Sequence, residues 1–490
     1  MNEILLKIYE ENTNEFGLPV FDLFTWQNLN SQYLDPDTSL PMSKRAKIMI
    51  DTMIHFFEKH HPKFPFREFD LHDVRQTFYD LCELNLKDHI FPKEKCKTVH
   101  EKYDDYIGNF PEWGMGIVNF SSNYNVIGDA FMNRERMKCG YDRSPSPIIM
   151  WNDQTDLKQT LSPIWRLHLT CAMPLKNNLY IEGVRVGAYF ATQFKPSVAK
   201  AFYDLTKSKK VLDTSSGWGD RMAGFFASGA DEYYGMDPNG DLHENYHKMA
   251  IQYENWLGCE KPESAFGDKW FSVAGKKRVK IYRSPAEDLP WHEIPNDIDI
   301  MFSSPPYFAT ERYAEGSKFE EDQSWSRYNS YEEWRDGFYL PVMEQAYNHL
   351  KPGGWLMVNI MDPKVKGKRL KSCDDLVGWF MNKYEGSFKG QIGMRIMSRP
   401  KSLKSFEGDT HEERKAKYDE WQAKWFIESV WCFQKPGGID DAYGGDVDLF
   451  SPYKDSTLSG MGPVVVQEPI KKKKLSDATT EKTSLEGFFD

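Results

Sequence analysis

From about residue 190 to 435, short β-type runs alternate with helical stretches. That alternation confines the chain to a sheet of parallel strands with helices on its faces. The clearest strands are 210–213 (KVLD), 232–236 (EYYGM), 279–282 (VKIY), 298–302 (IDIMF), 355–360 (WLMVNI), 391–397 (QIGMRIM) and 426–433 (FIESVWCF). Helical stretches fall at 196–207, 219–229, 240–257, 330–350 and 372–384. The last two strands follow each other without a clear helix. The intervening 398–425 reads first as an elaborate loop, although HEERKAKYDEWQAKW within it has helical composition.

Composition shifts set the boundaries of this α/β domain at 186–436 and suggest two flanking regions in a chain of 490 residues. Residues 1–185 are aromatic-rich, partly helical and partly irregular. A helix at 41–61 puts Ile48, Met49, Thr52, Met53 and Phe56 near one face, and prolines break any long element in 144–169. Residues 437–490 read as a flexible linker with a KKKK run at 471–474 and a short apolar end. A net charge of −11 argues against a protein coated in basic charge, while leaving room for a local basic groove. The seven cysteines are scattered and never form CxxC, which disfavours a disulfide framework or a ribbon-type zinc site and points to a reducing compartment. The amino terminus has no basic-then-apolar leader, and no apolar run approaches ~18 residues, so the expected location is cytoplasmic.

The first chemical signal is VLDTSSGWGDR at 211–221. An apolar strand ends at Asp213, a Ser/Gly loop follows, and a helix begins near Gly219. Gly217 and Gly219 remove side chains where backbone must turn tightly and approach a ligand. The pattern is neither GxGxxG nor GxxxxGK[ST], so a dinucleotide or P-loop reading is weak. The next strand runs directly into Asp237, which suits ribose hydroxyls or, equally, a solvent-facing DPNG turn. A third strand leads into RSPAEDLP, where Ser284 to Asp288, including Ala286, fit either an adenine contact or a capped helix start.

The second signal is SSPPY at 303–307. Two prolines fix their own φ and restrict the residue before them, so the backbone at Ser304, Pro305 and Pro306 is rigid and extended. A rigid turn at the carboxyl end of a strand borders the crevice of an open α/β sheet. Ser304 Oγ and the Pro305 carbonyl can accept hydrogen bonds from an amino group, and Tyr307 can stack on a base. Such a corner suits an exocyclic NH2 whose nitrogen must be aimed at a methyl donor. An ordinary loop with a proline pair is the bland alternative.

Together these segments resemble the class I S-adenosylmethionine-dependent methyltransferases. The resemblance implies a Rossmann-like sheet of seven strands with the last hairpin antiparallel. It also implies that Asp213, Ser215, Gly217 and Gly219 line the methionine part of S-adenosylmethionine and that Asp237 holds its ribose. YFATQFKPSVAKAFYDL at 189–205 resembles the segment that closes over the cofactor, with Phe190, Phe194 and Pro196 as its contacts. SSPPY resembles the [D/N/S]PP[Y/F] motif of amino-methyltransferases acting on adenine N6, cytosine N4, some RNA bases and protein glutamine; Ser in first place is commonest in the cytosine-N4 enzymes. The stretch 311–360, with its acid-rich loop and LKPGG, is similar to phage and bacterial DNA methylases. Two features depart from that pattern: DTSSGWGDR replaces a DPFxGSGT-like loop, and the cofactor loop precedes SPPY, whereas most cytosine-N4 enzymes are permuted. A cytosine-C5 enzyme is disfavoured, because that reaction needs a thiolate nucleophile, usually after Pro, and no Cys here follows a Pro. The implied function is methyl transfer to an exocyclic amino group of a DNA base, cytosine N4 slightly ahead of adenine N6. The alternatives are an RNA or protein amino-methyltransferase, or a non-catalytic DNA- or clamp-binding protein keeping the fold.

A base within a duplex cannot reach such a pocket and would be flipped out. Residues 364–425 carry fifteen Lys+Arg against nine Asp+Glu. Lys364, Lys366, Lys368 and Arg369 follow the fifth strand, and Arg395, Arg399, Lys401 and Lys404 lie on or after the sixth; they suit a phosphate track or a solvated charge face. Residues 1–185 are assigned to target recognition by elimination. The terminal KTSLEGFFD resembles sliding-clamp-binding peptides, with Leu485, Phe488 and Phe489 as anchors and Lys482 where a Gln is usual. An incidental apolar terminus is the alternative.

Overall fold

The computed structural model describes residues 3–32, 42–95, 106–108, 110, 113, 115–141, 144–153, 161, 174–396 and 403–437. In chain order its strands are β1 Ile90–Phe91, β2 Ile117–Val118, β3 Gly140–Tyr141, β4 Lys210–Asp213, β5 Glu232–Met236, β6 Glu263–Gly267, β7 Trp270–Ala274, β8 Arg278–Tyr282, β9 Ile298–Ser303, β10 Glu311–Arg312, β11 Leu350–Asn359, β12 Lys364–Val365, β13 Lys368–Arg369, β14 Phe388–Ile396 and β15 Phe426–Gln434. The main sheet is ordered β1-β2-β14-β15-β11-β9-β4-β5-β8-β7-β6. Its central seven, β14 to β8, are the strands read from the sequence. β4, β5, β8, β9 and β11 pair in parallel, and β15 runs antiparallel to both β11 and β14.

Seven is nevertheless too few, because among the described residues the sheet has eleven strands. The antiparallel hairpin β6–β7 extends one edge beyond β8. Every residue of β6 is exposed, so no apolar alternation marks it in the sequence. At the other edge β2 pairs in parallel with β14 and brings β1 with it. These strands come from the amino-terminal region and are two residues long, too short to show a period.

Helices cover both faces. On one, Pro196–Leu205, Asp220–Phe226 and His243–Trp256 pack with Leu71–Cys82 and Val126–Arg136 around Phe202, Phe226, Tyr253, Phe78 and Ile127. Pro196 opens its helix at the first turn, where the missing N–H costs nothing. Gly224 lets the two helices touch: a Cβ there would lie 2.5 Å from the Pro196 carbonyl oxygen. On the opposite face, the 331–348 stretch and Ser372–Lys383 enclose Trp334, Tyr339, Met343 and Phe380. The single helix expected at 330–350 is interrupted by a π turn, Arg335–Tyr339. Pro341 has no N–H to give the carbonyl four residues back, and the turn absorbs that loss.

Two further segments bear on the sequence reading. The helix expected at 41–61 spans Met42–His60, with Met49, Thr52, Met53 and Phe56 buried in a separate amino-terminal cluster alongside Leu5, Tyr9, Trp26 and Tyr180. Residues 398–425 are not a loop throughout, since His411–Ala423 is helical, opened by a capping box between Thr410 and Glu413. That helix buries no residue and so shows no apolar stripe. Among the described residues no helix is long and apolar enough to cross a membrane.

Candidate active site

Because β4, β5, β8, β9 and β11 are parallel, their carboxyl ends share one edge of the sheet. The chain turns from β4 towards β5 and β8 on one side and from β9 towards β11 on the other. The crevice of an open α/β sheet lies at such a switch point. The Gly loop leaves β4 there and the SSPPY corner leaves β9.

In the Gly loop, Gly217 (φ +56°) and Gly219 (φ +75°) both take the left-handed conformation. A Cβ on Gly219 would meet the Met249 methyl at 2.8 Å. Asp213, fully buried, organises the loop from beneath. Its carboxylate accepts from Arg221 Nε (2.8 Å), Tyr233 Oη (2.6 Å), Ser303 Oγ (2.9 Å) and the Ser215 amide (3.2 Å). Arg221 also donates to the Ser215 carbonyl and lies 5.4 Å from the ring centre of Phe194. The Tyr246 hydroxyl donates to the Gly217 carbonyl.

Asp237 follows β5 beside this loop. Its carboxylate accepts from the Gly217 amide at 2.8 Å and the Asn239 amide at 2.9 Å. Burial pushes its pKa up to about 6, against the pull of those two amides. Each oxygen keeps a lone pair for a further donor. Ser284 and Ala286 follow β8 and are buried; Ser284 Oγ donates to the Pro285 carbonyl, and Ala286 opens a short 3-10 turn. Thr214 Oγ1 and Ser216 Oγ are buried in the loop with no hydrogen-bond partner among the described residues. Two left-handed glycines, a carboxylate with spare acceptor capacity and these unmet hydroxyls fit a polar, hydroxyl-bearing ligand such as an adenosyl group.

The second half of the site is coupled to the first by the Ser303–Asp213 hydrogen bond and by the register of β9 on β4, Leu212 opposite Met301. Ser303 and Pro305 are buried, whereas Ser304, Pro306 and Tyr307 are half-buried. Phe308 takes φ +53°, a strained setting for an aromatic residue, and anchors the corner against Tyr331 and Trp334. The Tyr307 hydroxyl donates to Glu428 of β15 and lies 3.4 Å from the Asn359 carbonyl. Beyond the corner, Glu311 accepts hydrogen bonds from Tyr189 and Tyr313, and Tyr189 stacks on Tyr141 at 5.0 Å. Burial raises the carboxyl pKa values of both Glu311 and Glu428.

The sequence-derived residues thus divide. Asp213, Ser215, Gly217, Gly219 and Asp237 meet at one loop, with Ser304 to Tyr307 alongside. Phe194 packs on Phe302 of β9 at 5.4 Å, and Phe190 lies under Arg185. Lys364, Lys366, Lys368 and Arg369 form an exposed hairpin, β12–β13, just past the carboxyl end of β11. Arg395 lies over the Trp425 ring at 4.3 Å. Arg399, Lys401 and the tail residues Leu485, Phe488 and Phe489 are outside the described residues, as is the side chain of Lys404. Arg221, Glu311 and Glu428 were not singled out from the sequence. Arg221 stands inside the quoted loop, and Glu428 is the one charged residue of the apolar run FIESVWCF, a signal that could have been read.

The order of the central seven strands, one of them reversed, with a glycine turn after β4 and an acid just after β5, is that of the Rossmann-like sheet of the class I methyltransferase fold. Residues 298–448, which hold the SSPPY corner, match the model of a family described as DNA methylase. No curated protein matches the chain. Among solved structures it is similar to a SAM-dependent O-methyltransferase from Thermotoga maritima (10% identity, 51% of this chain and 68% of that one, TM-score 0.27). It is also similar to Trm1 from Pyrococcus horikoshii in complex with S-adenosyl-L-methionine (15%, 50% and 57%, 0.28) and to TrmN from Thermus thermophilus (13%, 49% and 48%, 0.26). The chain therefore spans little more than half of Trm1 and about half of TrmN.

Proposed function

We propose that the enzyme methylates the exocyclic amino group of a flipped-out DNA base, with cytosine N4 favoured over adenine N6. The observation that carries this reading is the Ser303–Asp213 bond, which ties the Ser304–Tyr307 corner to the glycine turn of the cofactor loop. Ser304 Oγ and the Pro305 carbonyl would accept the two amino protons, leaving the nitrogen lone pair directed across the crevice. Tyr307, its hydroxyl held by Glu428, would offer its ring to the base. Ser215, Gly217, Gly219 and Asp237, with Phe190, Phe194, Ser284 and Ala286 around them, would hold the donor. Holding both partners in line supplies most of what direct transfer to an amine needs. Duplex DNA would be gripped by the Lys366, Lys368 and Arg369 hairpin together with Arg395, Arg399, Lys401 and Lys404, while the 1–185 region contributes target recognition to the 186–436 catalytic domain.

The test is nucleoside mass spectrometry of DNA from cells expressing the wild type or Ser304→Ala. N4-methylcytosine is the expected product, N6-methyladenine the second, and Ser304→Ala should lower either at least tenfold. Absence of both with the wild type would falsify the DNA reading. For the tail, we propose that 437–490 carries a clamp-binding peptide anchored by Leu485, Phe488 and Phe489. This rests on sequence alone and predicts that deleting 483–490 abolishes binding to a replication sliding clamp; undiminished binding refutes it.

A further inference from the structure

We propose that Glu428 is the proton acceptor of the methyl transfer, reached from the target amine through Ser304 and Tyr307. This rests on the amino-methylation reading above and adds a residue to it. Alkylation of an NH2 group leaves a surplus proton on nitrogen. A corner beginning with Asp could take that proton itself, whereas the Ser304 hydroxyl can accept one only by passing its own onward.

The fold provides the onward path. β15 is the one reversed strand of the central seven, so its first residues, not its last, lie at the edge where β9 and β11 end. That reversal brings Glu428 to the corner from 121 positions away in the chain. The Ser304 side chain lies close enough to the Tyr307 phenol to bias its proton, and the phenol donates to Glu428. In the transfer, the nitrogen lone pair forms the N–C bond as the donor's C–S bond breaks, with that bonding pair staying on sulfur. One proton then moves from nitrogen to Ser304 Oγ, the serine proton to Tyr307 Oη, and the phenolic proton to Glu428. The carboxyl is left neutral until water removes its proton.

The surroundings make this carboxylate a stronger base than an exposed one. Burial and the facing carboxylate of Glu311 push the Glu428 pKa upward. Hydrogen bonds from Tyr307 and Asn359, and the charge of Lys195, restrain the rise. Lys195 is itself fixed by the carbonyls of Phe120 (2.8 Å) and Arg395 (3.0 Å), which places it beside β14 and β15 without occupying Glu428. Glu428 acts on substrate through another residue, so a purely structural latch on Tyr307 is the competing explanation, and pH dependence separates the two.

The experiment compares full-length wild type, Glu428→Gln, Glu428→Asp and Tyr307→Phe. Pre-steady-state methylation of DNA is followed from pH 5 to 9, and 13C NMR of [13Cδ]glutamate-labelled protein is recorded alongside. Wild type should lose rate towards acid as one group protonates. Glu428→Gln should lower kcat about a hundredfold near pH 7.5 with KM for DNA within threefold, and should remove the acid limb. Glu428→Asp should keep that limb. The resonance missing in Glu428→Gln should titrate above the ordinary glutamate range and move higher still in Tyr307→Phe. The proposal is overturned if Glu428→Gln keeps the wild-type kcat and acid limb, if only KM changes, or if Tyr307→Phe leaves the Glu428 titration unmoved. Should wild type methylate no DNA, the functional reading fails, while the NMR comparison still decides whether Tyr307 and Glu428 form one proton path.

Discussion

Asp237 answers two demands of opposite sign. Burial pushes its carboxyl pKa up to about 6 from an ordinary 3.8. A group whose pKa is raised by folding stabilises the fold most fully below its unfolded value, and that contribution disappears as pH rises to the folded value. The unliganded protein therefore gains from a protonated Asp237 below about pH 4 and loses that gain by about pH 6. The proposed ribose contact needs the reverse, because only the ionised carboxylate would accept from both hydroxyls while retaining the Gly217 and Asn239 amides. Calorimetric titration with S-adenosylmethionine should show constant affinity above about pH 7 and progressive weakening below about pH 6. Asp237→Asn should weaken binding roughly 10- to 100-fold at neutral pH, as loss of hydrogen bonds to a charged acceptor costs about 1.5–3 kcal/mol, and should flatten the pH dependence. Equal affinity at pH 5 and pH 8 in the wild type would remove Asp237 from the ribose site.

Among the elements, the β12–β13 hairpin carries four basic residues and packs Val365 against the core. Its two turn residues, Lys366 (φ +48°) and Gly367 (φ +84°), both have positive φ, the turn whose twist suits a two-residue hairpin connection. The turn holds Lys364, Lys366, Lys368 and Arg369 in solvent beside the crevice. Replacing Lys366, Lys368 and Arg369 with alanine should weaken binding to all DNA sequences alike. It should also lower the slope of log affinity against log salt by about 0.9 for each phosphate no longer neutralised. Fluorescence anisotropy between 50 and 200 mM salt reads both, and an unchanged slope excludes the hairpin from the phosphate track. This element was visible in the sequence as a basic run, just as the central strands were visible as apolar runs and SSPPY as a chemically stiff corner. In each the information is local. β6, exposed on every residue, and the helix His411–Ala423, whose apolar contacts are confined to Tyr418 and Trp421, left little periodic trace because neither buries an apolar stripe. Glu428 and Glu311 went unread for another reason: their partners Tyr307 and Tyr189 stand 121 and 122 positions away. Only the strand order brings them together.

At the scale of the molecule, the composition boundary near 185 does not coincide with a boundary in the core. Trp113 packs on Trp355 of β11 at 5.0 Å, and Phe78 stacks on Tyr253 at 5.3 Å. The Tyr79 hydroxyl bonds the Trp256 carbonyl, Tyr253 bonds the Ile127 carbonyl, and Lys195 bonds the Phe120 carbonyl. β2 covers the outer edge of β14. A fragment of residues 186–436 would lose all of these at once, baring large aromatic surface and a long strand edge open to pairing with other chains. Each buried aromatic side chain is worth about 1.5–3 kcal/mol, so a few such losses match the whole stability of a typical domain, roughly 5–15 kcal/mol. The fragment should therefore aggregate or stay molten, without a cooperative urea transition or near-ultraviolet dichroism, and should bind no S-adenosylmethionine. A fragment that unfolds cooperatively and keeps wild-type cofactor affinity would show that the amino-terminal packing is dispensable. It follows that any role of residues 1–185 in target recognition has to be sought by substituting exposed residues in the full chain, since deletion would remove the catalytic sheet along with it.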